Sequence, residues 1–282
     1  MLNDVRIRRR DLCLGGFLLA GLAPRVSGQR SAPKNDEFRP LFDGVSLHGW
    51  NRQTRMLSQP SVGKWTVEDG AIIGGQDPPG VGSYLVTDDV FDDFELQIEA
   101  RPDWPVDTGI LVRTVAQGNI GFQVLLDHRP HGGIGGYYGN GLAGIHAYEY
   151  AFSAELDKEG HVARLIPEKP SEPTLWVPLD FAAPVKVFLK AWKVNDWNQF
   201  RIRSVGALPY LTTWINGEKI SELDTSKVEA TGWDPKRVLE RIGRAGHIAL
   251  EVHNNDARLG LDRWGPGKVC RWRNISIKKL SA

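Results

Sequence analysis

The chain has 282 residues, of which 41% are hydrophobic and 24% charged, with a formal net charge of +1. That is enough apolar material for one large core, and the charge is too balanced for a surface that binds nucleic acid.

The first 28 residues read as an export signal and not as part of the fold. Arg8, Arg9 and Arg10 precede an apolar run from residue 12 to 23, and the small residues Ser27 and Gly28 follow at a cleavage point. The run is too short to cross a bilayer as a helix. Paired arginines followed by Asp11 and Leu12 resemble a twin-arginine signal, with the general secretory route as the alternative. Either route predicts an exported protein, periplasmic or extracellular, without a membrane span. Cleavage after Gly28 leaves 254 residues and removes five arginines and two aspartates, which takes the net charge from +1 to −2. Only Cys270 then remains, so no intramolecular disulfide can form. One large all-β domain fits this length.

Residues 29–37 show no periodicity and predict a flexible leader, with the domain covering residues 38–282. Residues 38–42 predict a short strand closed by Asp43-Gly44, and residues 65–74 a hairpin turned at Asp69-Gly70. Residues 94–101 alternate Phe94, Leu96, Ile98 and Ala100 with charged or polar partners, the pattern of a strand with one dry face.

Two further strands follow within residues 107–127. In the second, Gln123, Leu125 and Asp127 lie on one side and Phe122, Val124 and Leu126 on the other. In the first, Ile110 and Val112 alternate with Gly109, Leu111 and Arg113, so a hairpin would bring Arg113, Gln123 and Asp127 together on one face. That face is either a binding site or the solvated side of an antiparallel sheet.

Residues 128–150 hold so many glycines that they predict a loop lying close to a ligand or to another backbone, with Tyr137, His146 and Glu149 as candidate contacts. Five prolines break residues 151–194, which predict a long insertion with one short helix. Residues 197–204 form a strand, residues 210–223 a hairpin turned at Asn216-Gly217, and a short helix starts near Asp234-Pro235. Residues 246–253 alternate Ile248, Leu250 and Val252 with His247, Ala249, Glu251 and His253, and residues 269–280 supply the last strand. Many short strands with Gly and Asn turns predict a jelly-roll β-sandwich with a long loop insertion.

Several phrases then align with one family. Phe42-Asp43-Gly44, Gly49-Trp50, Trp65-Thr66-Val67-Glu68-Asp69-Gly70, Phe94-Glu95-Leu96, Gly109-Ile110 with Arg113, Trp197-Asn198, Asn216-Gly217, residues 246–250 with His253, and Arg273-Asn274-Ile275-Ser276-Ile277 resemble the 3-keto-disaccharide hydrolase family. The resemblance covers residues 38–280 and implies a concanavalin-like jelly roll, exported from bacteria. It further implies action on 3-keto-glycosides supplied by a partner oxidoreductase, with cleavage by hydrolysis or elimination. Where the family commonly has Glu, any residue and Gln, this chain has Gln123, Val124 and Leu125.

A ketone at C3 acidifies the C2 proton, so a base can remove it while donors hold the enolate oxygen and the C1 substituent leaves. Asp127, Glu251, His253 and His146 are candidate bases, and Arg113 the candidate stabiliser. A divalent metal ion held by His and carboxylate could serve in its place. His128 and His131, beside Asp127, have a spacing that could chelate or could be simply solvated. Gln123, Trp104, Tyr137 and Glu149 are candidate substrate contacts, with core packing as the alternative for Trp50 and Trp104. Three readings stay open: a glycoside-cleaving enzyme, a non-catalytic carbohydrate-binding module and an adhesion scaffold.

Overall fold

The computed structural model describes residues 37–55, 61–170, 175–256 and 260–281. The stretch expected to be an export signal and all but the last residue of the expected leader lie outside the described residues. Five short strands come first: β1 (Arg39–Pro40), β2 (Trp50–Thr54), β3 (Lys64–Glu68), β4 (Ala71–Gly75) and β5 (Ser83–Thr87). The long central strands are β6 (Phe94–Pro102), β7 (Val106–Thr114), β8 (Gly121–His128) and β9 (Gly132–Asn140). After them come β10 (His146–Ala147), β11 (Ala151–Leu156), β12 (Val162–Glu168), β13 (Phe181–Ala182) and helix α1 (Val185–Ala191). The chain closes with β14 (Asn198–Val205), β15 (Tyr210–Ile215), β16 (Glu218–Asp224), helix α2 (Pro235–Ile242), β17 (His247–Val252) and β18 (Val269–Lys279).

The strands form two sheets. The back sheet runs β13-β16-β15-β14-β6-β18-β4-β3 with β1 paired to β18, and the front sheet runs β12-β11-β9-β8-β7-β17-β5-β2 with β10 paired to β9. The central pairings are antiparallel. The result is the predicted all-β sandwich of jelly-roll type. Its core is what the period of two selects: Phe94, Leu96 and Ile98 of β6 and Phe200 and Ile202 of β14 face Ile110 of β7, Phe122, Val124 and Leu126 of β8 and Leu250 of β17. All of these side chains are fully buried.

The predicted turns carry the backbone their sequences demand. Asp69 and Gly70 have φ of 50° and 75°, and Asn216 and Gly217 have φ of 50° and 89°, the paired positive angles of a tight hairpin. Helix α2 starts where Asp234 caps it, its carboxylate accepting from the backbone N–H groups of Lys236 and Arg237.

Two expectations need correction. The glycine-rich stretch is not a loop, because residues 132–140 form the nine-residue strand β9 in register with β8. A Cβ at Gly136 would lie 2.5 Å from the Ala147 carbonyl oxygen, and one at Gly139 2.7 Å from that of Leu142. The glycines therefore leave room for the chain of residues 142–148, which runs beside β9 and pairs with it through β10. The insertion, in turn, holds the β11–β12 hairpin as well as the short helix α1.

Candidate active site

The outward face of the front sheet carries the polar residues whose alternation the sequence displays. β7 and β8 pair so that Asp107 lies opposite Asp127, Gly109 opposite Leu125 and Leu111 opposite Gln123. Glu251 of β17 pairs with Tyr84 of β5 on the neighbouring side. Three arginines reach this face from separate loops: Arg55 after β2, Arg129 after β8, and Arg263 before β18.

Glu251 is fully buried and fully engaged. One of its oxygens accepts from Arg55 Nη1 and, at 3.2 Å, from the Tyr84 hydroxyl; the other accepts from Gln123 Nε2 at 2.5 Å. That last bond crosses Gly109, where a Cβ would sit 2.3 Å from Gln123 Nε2. A glycine at this position is what lets the amide lie flat on the strand and reach the carboxylate. The Arg55 guanidinium also lies 5.2 Å from the centre of the Tyr84 ring.

Asp107 and Asp127 form a second centre with opposite protonation. Asp107 accepts from Arg129 Nε at 3.1 Å and from Arg263 Nη1. Burial alone would raise its pKa, but the facing charges, from His253 when it is protonated and from Arg129 and Arg263 throughout, hold it below the ordinary carboxylate value. Asp127 has Arg129 Nη2 at 3.6 Å and leaves Oδ1 buried without a partner. Burial, reinforced by the negative charge of Asp107, pushes its pKa well above the ordinary value, so Asp127 holds the proton of the pair.

His253 stands between the two centres. Its Nδ1 lies 2.7 Å from the Asn254 carbonyl oxygen, which only an N–H there can satisfy, so Nε2 carries the lone pair. That lone pair faces Arg55 Nη2 at 2.8 Å and Arg263 Nη1 at 3.3 Å. Burial lowers the imidazole pKa; Asp107 opposes the shift and Arg55 adds to it, and the net effect keeps His253 neutral at pH 7. The arrangement therefore offers a neutral base, a neutral carboxylic acid and three cations on one face.

Residues 37–278 match the model of the 3-keto-alpha-glucoside-1,2-lyase-like domain. The chain belongs to that family. No curated protein matches the sequence. Among solved structures, a provisionally named glycosyl hydrolase from Parabacteroides distasonis has 17% identity and a TM-score of 0.48 over 86% of this chain and 94% of its own. The carbohydrate-binding module CBM66 from Bacillus subtilis has 9% identity and a TM-score of 0.40 over 82% and 96%.

Within the 3-keto-alpha-glucoside-1,2-lyase-like domain, the structure brings together four of the residues singled out from sequence: Gln123, Asp127, Glu251 and His253. It separates the rest. Arg113 does not join them, because a bulge sets Val112 and Arg113 against Ile248 alone and Arg113 takes a φ of 53°. The side-chain alternation slips there. Its guanidinium donates instead to the carbonyls of Asp92, Gly206, Ala207 and Gly243, tying three loops together at one end of the sandwich. Burial, with Arg244 nearby, lowers its pKa to about 10.

Tyr137 faces inward and bonds Ser221 and Thr213 across the core, so its neighbour Tyr138 is the tyrosine on the site face, opposite Gln123. Trp104 packs edge-on against His128, whose Nδ1 donates to the Asp103 carbonyl and whose pKa burial holds down to about 4. Glu149 lines a separate cavity of about 560 Å³ with Tyr150 and Glu168. His131 pairs with Glu168 at the surface, so His128 and His131 do not converge on one ion. Trp50 is core, its indole N–H donating to the Leu41 carbonyl. Among the described residues no three His, Cys, Asp or Glu side chains are grouped to hold a metal, and none of the helices is long and apolar enough to cross a membrane.

Asp107, Arg55, Arg129, Arg263, Tyr84 and Tyr138 are the residues that sequence reasoning missed. Asp107 shares the parity of Gly109 and Leu111 and could have been found from that pattern. The three arginines sit in loops far apart in sequence, where no local periodicity marks them.

Proposed function

We propose that this domain cleaves 3-keto-glycosides by removing the C2 proton. The observation that carries the reading is geometric: His253 Nε2 lies within hydrogen-bond reach of Arg55 and Arg263 on the face where Asp127 stands opposite Asp107, with burial favouring the neutral imidazole and the protonated Asp127. His253 Nε2 takes the C2 proton and the electrons pass to the C3 oxygen, where Arg55 and Arg263 offer N–H donors to the enolate. The enolate then re-forms the ketone as a C1–C2 double bond forms and the C1–O bond breaks, and Asp127 gives its proton to the departing oxygen. Water adding across the new double bond would complete a net hydrolysis; without it the product is the unsaturated ketone. The substrate must be oxidised at C3 beforehand, which places an oxidoreductase upstream, and the signal-like residues 1–28 fit action outside the cytoplasm.

Arg55 has a double part in this scheme. It caps the His253 lone pair and is anchored by Glu251, so a pivot of the whole guanidinium about the Glu251 bond uncovers the base and presents a cation to the ketone. That cap also favours a second reading, a binding module whose base is never released.

One experiment separates the two readings. Incubation of methyl 3-keto-glucoside in deuterated water should give cleavage, with deuterium at C2 of the recovered ketone or of the hydrated product or with loss of the C2 hydrogen in the unsaturated ketone, and neither with the parent glucoside. His253→Ala should lower the rate by about a hundredfold to ten-thousandfold. Binding of the ketone with neither cleavage nor exchange would overturn the enzyme in favour of the module.

A further inference from the structure

Beside the carboxylate centre lies a run of aromatic rings to which the proposed chemistry assigns no task. β10 pairs with β9 so that His146 stands opposite Tyr138, their ring centres 4.7 Å apart. Tyr148 follows 6.2 Å from His146, and Trp176 lies 4.9 Å from Tyr148. All four rings are half-buried, and no cation stacks on any of them among the described residues.

The backbone is arranged to seat them there. Cβ atoms at Gly133 and Gly136 would lie 3.0 Å and 2.4 Å from Tyr148 atoms, so the glycines of β9 are the floor on which Tyr148 rests. The Trp176 backbone bridges that of His146, which fixes the outer end of the run.

The run is continuous with the site at both levels of the face. Tyr138 is the register partner of Gln123, whose amide holds Glu251. Gly132, one residue from the floor glycine Gly133, packs against the Asp127 backbone, and the charges of Asp127 and Arg129 are felt at Tyr148. A sugar held with C2 at His253 and its leaving oxygen at Asp127 would therefore direct its C1 substituent towards these rings.

Resting on the proposed reaction, we infer that Tyr138, His146, Tyr148 and Trp176 form the leaving-group subsite, which takes a ring presenting a flat apolar face. Burial lowers the His146 pKa, so the shelf is uncharged at pH 7. Aromatic faces reward a flat partner and give a methyl group almost nothing to stack on.

The test compares 4-nitrophenyl, glucosyl and methyl 3-keto-glucosides as substrates of the intact protein and of Trp176→Ala and Trp176→Phe. The two ring-bearing substrates should be preferred over the methyl one, and Trp176→Ala should cut that preference about threefold to tenfold through KM, with the methyl substrate unchanged. Trp176→Phe should restore most of it. Preference for the nitrophenyl substrate alone identifies an aryl leaving group, and preference for both rings a group that includes pyranoses. An equal loss on all three substrates, or a preference that survives Trp176→Ala, would overturn the subsite.

Titration of the protein with the unoxidised 4-nitrophenyl and methyl glucosides, followed by calorimetry, reads the shelf without turnover. Selective binding of the nitrophenyl glucoside that Trp176→Ala abolishes would uphold the subsite even if no ketone were cleaved. Equal affinity for the two glucosides would refute it whatever the chemistry.

Discussion

Replacing Gly109 by Ala tests how the site's buried carboxylate is held. The added Cβ would fall 2.3, 2.5 and 2.8 Å from Nε2, Cγ and Cδ of Gln123, and these are its three nearest atoms. The three nearest atoms all belong to one side chain and Gly109 has no positive φ, so the strand stays and the amide must move off Glu251 Oε2. The lost bond is one to a buried charged group, worth about 1.5–3 kcal/mol. Alanine in a strand regains about 0.5–1 kcal/mol of backbone entropy over glycine, so the net cost should be about 1–2 kcal/mol. For a domain of this size that lowers Tm by about 2–8 °C. The decisive measurement is a double-mutant cycle by urea unfolding. Gln123→Ala alone should be destabilising, while Gly109→Ala in the Gln123→Ala background should be neutral or slightly stabilising, a coupling of about 1.5–3 kcal/mol. Additive costs would show that the glycine answers to something other than the amide.

Two further outcomes concern protonation. The rate should rise with pH as His253 loses its proton, at a pH below the ordinary imidazole value; any fall at higher pH should vanish in Asp127→Asn, and a fall that survives would mean another group is the acid. Because the folded-state pKa of Asp127 is raised, its contribution to stability is complete below the unfolded value near 3.8 and is lost as pH rises to the folded value; Asp127→Asn should therefore flatten the fall in stability across that window, and an unchanged slope in urea unfolding against pH would count against a protonated Asp127.

The sandwich was legible because its turns and its alternation are both local signals. Asp69-Gly70 and Asn216-Gly217 name their hairpins, and Phe122, Val124 and Leu126 announce the buried face of β8, leaving Gln123 and Asp127 for the other. What was not legible depends on contacts between distant segments. Five of the nine residues of β9 are glycines, which breaks the alternation and leaves room for the chain paired beside it. Arg113 has the right parity on paper, and only the bulge opposite Ile248 turns it away. Tyr137 and Tyr138 are adjacent, so without the register of β9 either could have faced the site.

The site divides its charges by the kind of backbone that bears them. Asp107, Asp127 and Glu251 sit on paired strands, whereas Arg55, Arg129 and Arg263 come from loops. Strand positions are fixed by their backbone pairing, so the acids hold their places while the longer cations adapt. Arg55 shows what this permits. One nitrogen is bonded to Glu251, which cannot move because Tyr84 and Gln123 hold it as well, and the other rests on His253. The first bond keeps the guanidinium in the site while the second is exchanged, so uncovering the imidazole does not require a buried charge to lose its partner. A cation tethered only to His253 would have to leave the site to free the base, and would then be absent when the enolate forms.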